Sequence, residues 1–188
     1  MNKLKKIILV LVPTLFVLVV AGFFYVKHTN EVAKYDFVLQ SDKGEVRLSD
    51  FRGKKTLVYF GYGLCPDICP TTLYAISEAL NKLTPAEVEN VRVVFVSVDP
   101  DRDKPKDLGA FARYFHENII GTTADEAYIA KLATNYGASY KKVPQPNSSI
   151  GYSVAHSADT YVVGKDGVLE SVLPFGIASD EIVAAIKK

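Results

Sequence analysis

Only two cysteines occur in 188 residues, too few for a disulfide-stapled scaffold, and a domain of this size can build its core without one. Basic charge is not in excess either. The formal net charge of +1 gives no electrostatic ground for binding nucleic acid. No acidic residue precedes Glu31, and no low-complexity tract or internal repeat divides the chain. One domain with an appendage is therefore the expected organisation.

What is present begins with a long apolar run. Ile7–Val26 (IILVLVPTLFVLVVAGFFYV) carries no charge over twenty residues, and a helix of that length spans roughly 30 Å, the thickness of a bilayer's hydrocarbon core. Pro13 is tolerable in such a helix. Phe23, Phe24 and Tyr25 lie at its outer end, where aromatic rings favour the interface. Lys3, Lys5 and Lys6 precede the run and mark residues 1–6 as a cytoplasmic tail, so the chain beyond about residue 27 faces outward. A cleaved signal peptide is the rival reading, but its apolar core is usually shorter. No cysteine follows that would accept a lipid anchor. The expectation is a single-pass anchor over 7–26, a polar linker over 27–34 and a folded domain over 35–188.

Within that domain, Tyr35–Gln40 and Glu45–Leu48 flank Ser-Asp-Lys-Gly, a hairpin pattern. Thr56–Gly61 and Val91–Val98 are short, continuous apolar runs of the kind found in buried strands. Thr71–Leu83, Pro105–His116, Ala124–Tyr136 and Ser179–Ile186 read as helices, with Asp103 as N-cap of the second and Gly137 closing the third. Ser139–Val143 is a candidate strand before a loop over Pro144–Gly151. Thr160–Val163 and Val168–Leu173 form a hairpin around Lys165-Asp166-Gly167. The order β-β-β-α-β-α-α-β-β-α indicates an α/β domain.

The two cysteines are four apart in Cys65-Pro-Asp-Ile-Cys69-Pro70, between a buried strand and a helix. Unpaired N–H groups and the positive end of the dipole at a helix start favour thiolate over thiol. If the segment is helical, the two Cα atoms lie about 6 Å apart on one face, within disulfide range and able to converge on one ion. Redox chemistry and metal binding are both open. Redox dithiols commonly carry two intervening residues rather than three, and structural zinc wants four ligands. Two thiolates joined by an imidazole suit Cu(I).

The stretch YFGYGLCPDICPTTL resembles the Sco/SenC proteins, which assist assembly of the copper site of cytochrome c oxidase. Two further segments carry the likeness. They are Val96-Ser-Val-Asp-Pro-Asp-Arg-Asp-Lys-Pro105, and Ala155-His156-Ser157 followed by a strand and a Lys-Asp-Gly turn. The resemblance covers roughly residues 35–186. It implies a thioredoxin-like fold with an N-terminal β-hairpin, copper as Cu(I) or Cu(II) held by Cys65, Cys69 and His156, and the oxidase copper-site subunit as partner. It also implies a bacterial inner-membrane protein with its domain on the periplasmic side. Gly63 and Leu64 stand where the family commonly has Thr and then His or Tyr, and Ala155 where it commonly has Asp. Loss of that Asp is expected to remove a contact that orients the imidazole.

The remaining candidates are structural on this reading. His28 lies in the linker, and His116 ends a helix, where a cation suits the dipole. Asp99, Asp101, Arg102 and Asp103 read as a turn and N-cap with Arg102 paired to a neighbouring acid, while Asp67 shapes the cysteine loop. The alternative function is thiol–disulfide exchange, with Cys65 as catalytic nucleophile and Cys69 as resolving thiol. His156 discriminates, since metal binding needs it and thiol exchange does not. A peroxidase is disfavoured, because no Thr stands at the expected place upstream of Cys65.

Overall fold

Two continuous apolar strands, β3 (Lys55–Gly61) and β4 (Val91–Ser97), form the middle of the molecule. Their residues are buried on both faces, apart from the half-buried Arg92, as central parallel strands require. The structure is a computed structural model that describes residues 3–188. Met1 and Asn2, part of the expected cytoplasmic tail, lie outside the described residues.

The chain divides into two units, at residues 34 and 35. The first is helix α1 (Lys3–Tyr35), of which Tyr35 already belongs to the second unit. It continues through Pro13 and through the polar stretch 27–34. Among the described residues, Pro13–Tyr35 is the one helix long and apolar enough to cross a membrane. Phe23, Phe24 and Tyr25 are exposed on it.

The second unit holds a seven-stranded sheet in the order β2-β1-β5-β4-β3-β8-β9. The expected hairpin is β1 (Val38–Ser41) with β2 (Gly44–Arg47), and β1 then pairs antiparallel with β5 (Ile119–Thr123). Helices α2 (Ile68–Asn81) and α4 (Pro105–Phe115) make the crossovers from β3 to β4 and from β4 to β5, separated in sequence by the single turn α3 (Pro85–Val88). Helix α5 (Glu126–Tyr136) starts on the Asp125 carboxylate, which accepts the Tyr128 N–H, and ends on Gly137 at φ +79°. Strands β8 (Thr160–Val163) and β9 (Leu169–Leu173) close the other edge, β8 antiparallel to β3. Helix α6 (Ser179–Lys187) packs against α2. This is a thioredoxin-like α/β fold with an N-terminal hairpin.

Alternation along β3 sends neighbouring aromatic rings to opposite faces. Phe60 meets Tyr136 of α5 and Tyr161 at 5.5 and 5.8 Å between centroids. Tyr59 meets Phe95, which continues to Phe111 of α4.

Two elements depart from expectation. Strand β5 (IIGTT) is absent from the order read from sequence, yet it fills the gap between β1 and β4. The segment before and after the loop at 145–151 forms a separate two-stranded ribbon, β6 (Tyr140–Pro144) with β7 (Tyr152–His156), that pairs with no strand of the main sheet. His156 is thus the last residue of a strand.

Candidate metal centre

Gly61 ends β3, and the chain turns through 62–67 into α2. The helix starts at Ile68, so Cys65 lies in the turn before it and Cys69 in its first turn. The expected arrangement, both cysteines on one helical face, is therefore replaced by a capping one. The Cys69 N–H, unpartnered within the helix, points at Cys65 Sγ, 3.4 Å away. Pro66 precedes the helix, while Pro70 occupies its first turn, where its missing N–H costs no bond. Gly61 is dictated by crowding: a Cβ there would stand 2.7 Å from both Cys69 Sγ and Phe95 Cε2.

The ribbon supplies the third group. His156 Nε2 is 3.3 Å from Cys69 Sγ, and both sulfurs and one imidazole nitrogen lie within 4.8 Å of one another. Nδ1 lies 2.9 Å from the Ser157 carbonyl. A carbonyl only accepts, so Nδ1 carries the proton and Nε2 presents its lone pair to the sulfurs. The ring stands edge-on to Tyr62 at 5.8 Å and to Tyr59 at 6.3 Å. Ala155 is exposed. Side chains at 155 and 156 project to opposite faces, so the imidazole takes its orientation from the main chain rather than from residue 155. The contact expected to be lost there is supplied by Ser157.

The two thiols differ in environment. Cys69 is fully buried and Cys65 is 8% exposed. A hydrogen bond from the Cys69 thiol, assisted by the N–H groups of Asp67 and Cys69, overcomes burial and holds Cys65 far below the usual thiol range, at about 4. The same hydrogen bond to Cys65, followed by burial, raises Cys69. The pair shares one proton, carried by Cys69. The Tyr59 and Thr72 hydroxyls are buried without a well-formed partner, and Tyr59 adjoins Cys69. A soft ion drawing Cys69 to thiolate would give the Tyr59 hydroxyl an acceptor, so the donor set fits such an ion.

The other sequence candidates separate cleanly. His28 is exposed on α1. His116 takes no cationic role: burial lowers its pKa, and Nδ1 accepts the Asn118 N–H at 3.1 Å. Asp67 is exposed and caps nothing with its side chain. Asp103 is not the N-cap of α4, which is Lys104. Its buried carboxylate, with its pKa raised by burial, accepts the Gly63 N–H at 2.8 Å and the Ser97 hydroxyl at 2.5 Å. Arg102 pairs with Asp99 as expected. Sequence reasoning missed Tyr59, Tyr152 and Ser157. The signal for Tyr59 was its place in β3, whose alternation turns residue 59 toward the same face as Gly61.

A thioredoxin-like domain bearing a Cys-Cys-His centre at the end of its central strands is the class that fold and site define. Residues 26–188 match the SCO1/SenC family model, and the chain belongs to this family. It is 35% identical over 162 residues to the mitochondrial SCO2 homolog of Mus musculus, covering 84% of this chain and spanning 62% of that relative's length. The copper-bound structure of Bradyrhizobium japonicum ScoI is similar at TM-score 0.72 and 35% identity, over 81% of this chain and 96% of that one. BsSco, described as having a disulfide switch and as a member of the Sco family of cytochrome c oxidase assembly proteins, is similar at TM-score 0.63 and 28% identity, over 81% and 90% of the two chains.

Proposed function

We propose that this chain is a membrane-anchored copper chaperone that assists metallation of the copper site of cytochrome c oxidase. In this reading α1 crosses a bacterial inner membrane once, with residues 1–6 in the cytoplasm and the domain on the periplasmic side. Copper is cargo, held by Cys65, Cys69 and His156 and passed on by exchange of thiolate ligands with the oxidase copper-site subunit. The observation that carries the proposal is the convergence of two sulfurs and a lone-pair-bearing Nε2 within 4.8 Å. Soft thiolates select Cu(I), and the imidazole adds a donor that also suits Cu(II). The copper-bound ScoI and the description of BsSco support the cargo and its destination.

The test is a Cu(I) titration of the reduced full chain in detergent against a chromophoric chelator, beside Cys65→Ser, Cys69→Ser and His156→Ala. One tight copper per chain, weakened by each substitution, is expected. Wild-type binding no tighter than that of the variants would end the copper reading.

The contrast between a stabilised Cys65 thiolate and a buried, protonated Cys69 favours a second reading, thiol–disulfide exchange. Cys65 would attack a partner's disulfide, forming a mixed disulfide and releasing one partner thiolate. Cys69, losing its proton, would then attack Cys65, leaving a Cys65–Cys69 disulfide and a partner reduced by two electrons. Reduction of oxidised oxidase subunit that proceeds equally well with His156→Ala would identify this activity.

A further inference from the structure

The ribbon β6–β7 brings His156 to the cysteines, yet pairs with no strand of the main sheet. A two-stranded ribbon has little stability of its own, and most of this one is exposed or half-buried. Its seating must come from somewhere else. Val154 reaches the core and Lys142 pairs with Glu126 of α5, and the remaining polar contacts converge on one loop, residues 98–104, between β4 and α4. Arg102 Nη1 donates to the carbonyls of Ile150 at 3.1 Å and Tyr152 at 2.8 Å, and the guanidinium lies 3.7 Å over the Tyr152 ring. Asp99, fully buried, accepts from Arg102 Nε at 2.5 Å and from the Tyr152 hydroxyl at 2.7 Å. Lys142 of β6 reaches Asp101 at 2.7 Å. Two residues beyond Asp101, Asp103 grips the cysteine loop through the Gly63 N–H.

We propose that Arg102, braced by Asp99 and Tyr152, is the positioning residue that seats His156 beside the two sulfurs. The proposal rests on the copper reading above. A planar guanidinium can stack on a ring while its edge meets two carbonyls and a carboxylate, an arrangement no other side chain reproduces. Tyr152 and His156 stand at the two ends of the five-residue strand β7, so the imidazole goes where the clamp holds the strand. The sulfurs sit on the main fold and do not depend on it. Arg102 touches no ligand; it bears on the ribbon and, at 5.9 Å to the centroid, on the Tyr62 ring that flanks the imidazole.

The experiment has two arms, both on the reduced full chain in detergent. Without copper, nuclear Overhauser contacts between the His156 ring and the buried Tyr59 ring of β3 are compared in wild type, Arg102→Met and Tyr152→Ala. Tyr152→Ala spares the buried Asp99–Arg102 pair and serves if Arg102→Met does not fold. Loss of the contact with near-native circular dichroism is expected. Retention of it in a folded variant overturns the proposal. With copper, the clamp variant should lose the imidazole nitrogen signature in the Cu(II) electron paramagnetic resonance spectrum. Cu(I) affinity should fall by about 10–100-fold, the range for groups that orient a metal ligand. In a His156→Ala background the same substitution should cost nothing more. An equal loss in that background means a general structural role and overturns the proposal. A wild type that holds no copper ends the chaperone reading, while the copper-free arm still decides the clamp.

Discussion

The two halves of the centre are built in opposite ways. The cysteine half hangs from β3 and α2, with Gly61 pressed against Cys69 Sγ and Asp103 gripping the loop, so little can shift without disturbing the core. The histidine half rides on a ribbon outside the sheet, anchored by the single buried Val154 and held otherwise by polar contacts, chiefly around Arg102. Packed cores are stiff, and elements with few buried apolar contacts open most readily. On the chaperone reading this division is useful, because the imidazole can withdraw from copper while the two sulfurs stay.

The largest expected effect falls on the stiff half. Cys65→Ser or Cys69→Ser should abolish tight Cu(I) binding, measured by chelator competition, whereas His156→Ala should weaken it and leave a two-sulfur complex. Equal losses from all three would erase the distinction between the halves. Next is stability. Asp99→Ala strands Arg102, 18% exposed, without its carboxylate, and breaking such a buried pair costs about 3–5 kcal/mol. Urea unfolding of the copper-free protein measures this. A loss under 1 kcal/mol, on the order of an exposed pair, would show the clamp to be superficial.

The third prediction concerns pH. The Cys65 pKa is depressed in the folded protein, so the stability linked to it is present above the unfolded thiol's pKa and disappears as pH falls through about 4. Cys65 should accordingly keep reacting with iodoacetamide at nearly constant rate from about pH 8 to about pH 6, where an ordinary thiol slows about tenfold per unit. The smallest effect is reserved for Ala155→Asp. With residue 155 exposed and Nδ1 already bonded to Ser157, copper affinity should change by less than about threefold, well short of the usual range for an orienting carboxylate.

Sequence legibility follows the same division. Thr56–Gly61 and Val91–Val98 announce themselves because strands buried on both faces must be continuously apolar. The helices flanking them carry clear faces and terminal signals, such as Gly137. Strand β5 escaped because IIGTT is short and contains a glycine, and its identity depends on β1 and β4 lying either side of it. The first strand of the ribbon was legible as Ser139–Val143, but β7 and its pairing escaped, because YSVAH buries only Val154 and leaves no hydrophobic period to read. Asp103 looked like an N-cap by position, yet its carboxylate went to Gly63, forty residues earlier in the chain. The three candidate ligands were legible through resemblance to a known family. The means of holding the third was not, since Arg102 and Tyr152 are fifty positions apart.

The acceptor that sets the histidine's proton is a peptide carbonyl, a group no codon change can delete. Every descendant that keeps the ribbon inherits the correct tautomer without selection on a particular neighbouring side chain. Positions 155 and 157 are thereby released from that duty. Exposed Ala155 is free to diversify along the rim of the site, whereas the Ser157 hydroxyl still accepts the Ser139 N–H at 3.0 Å.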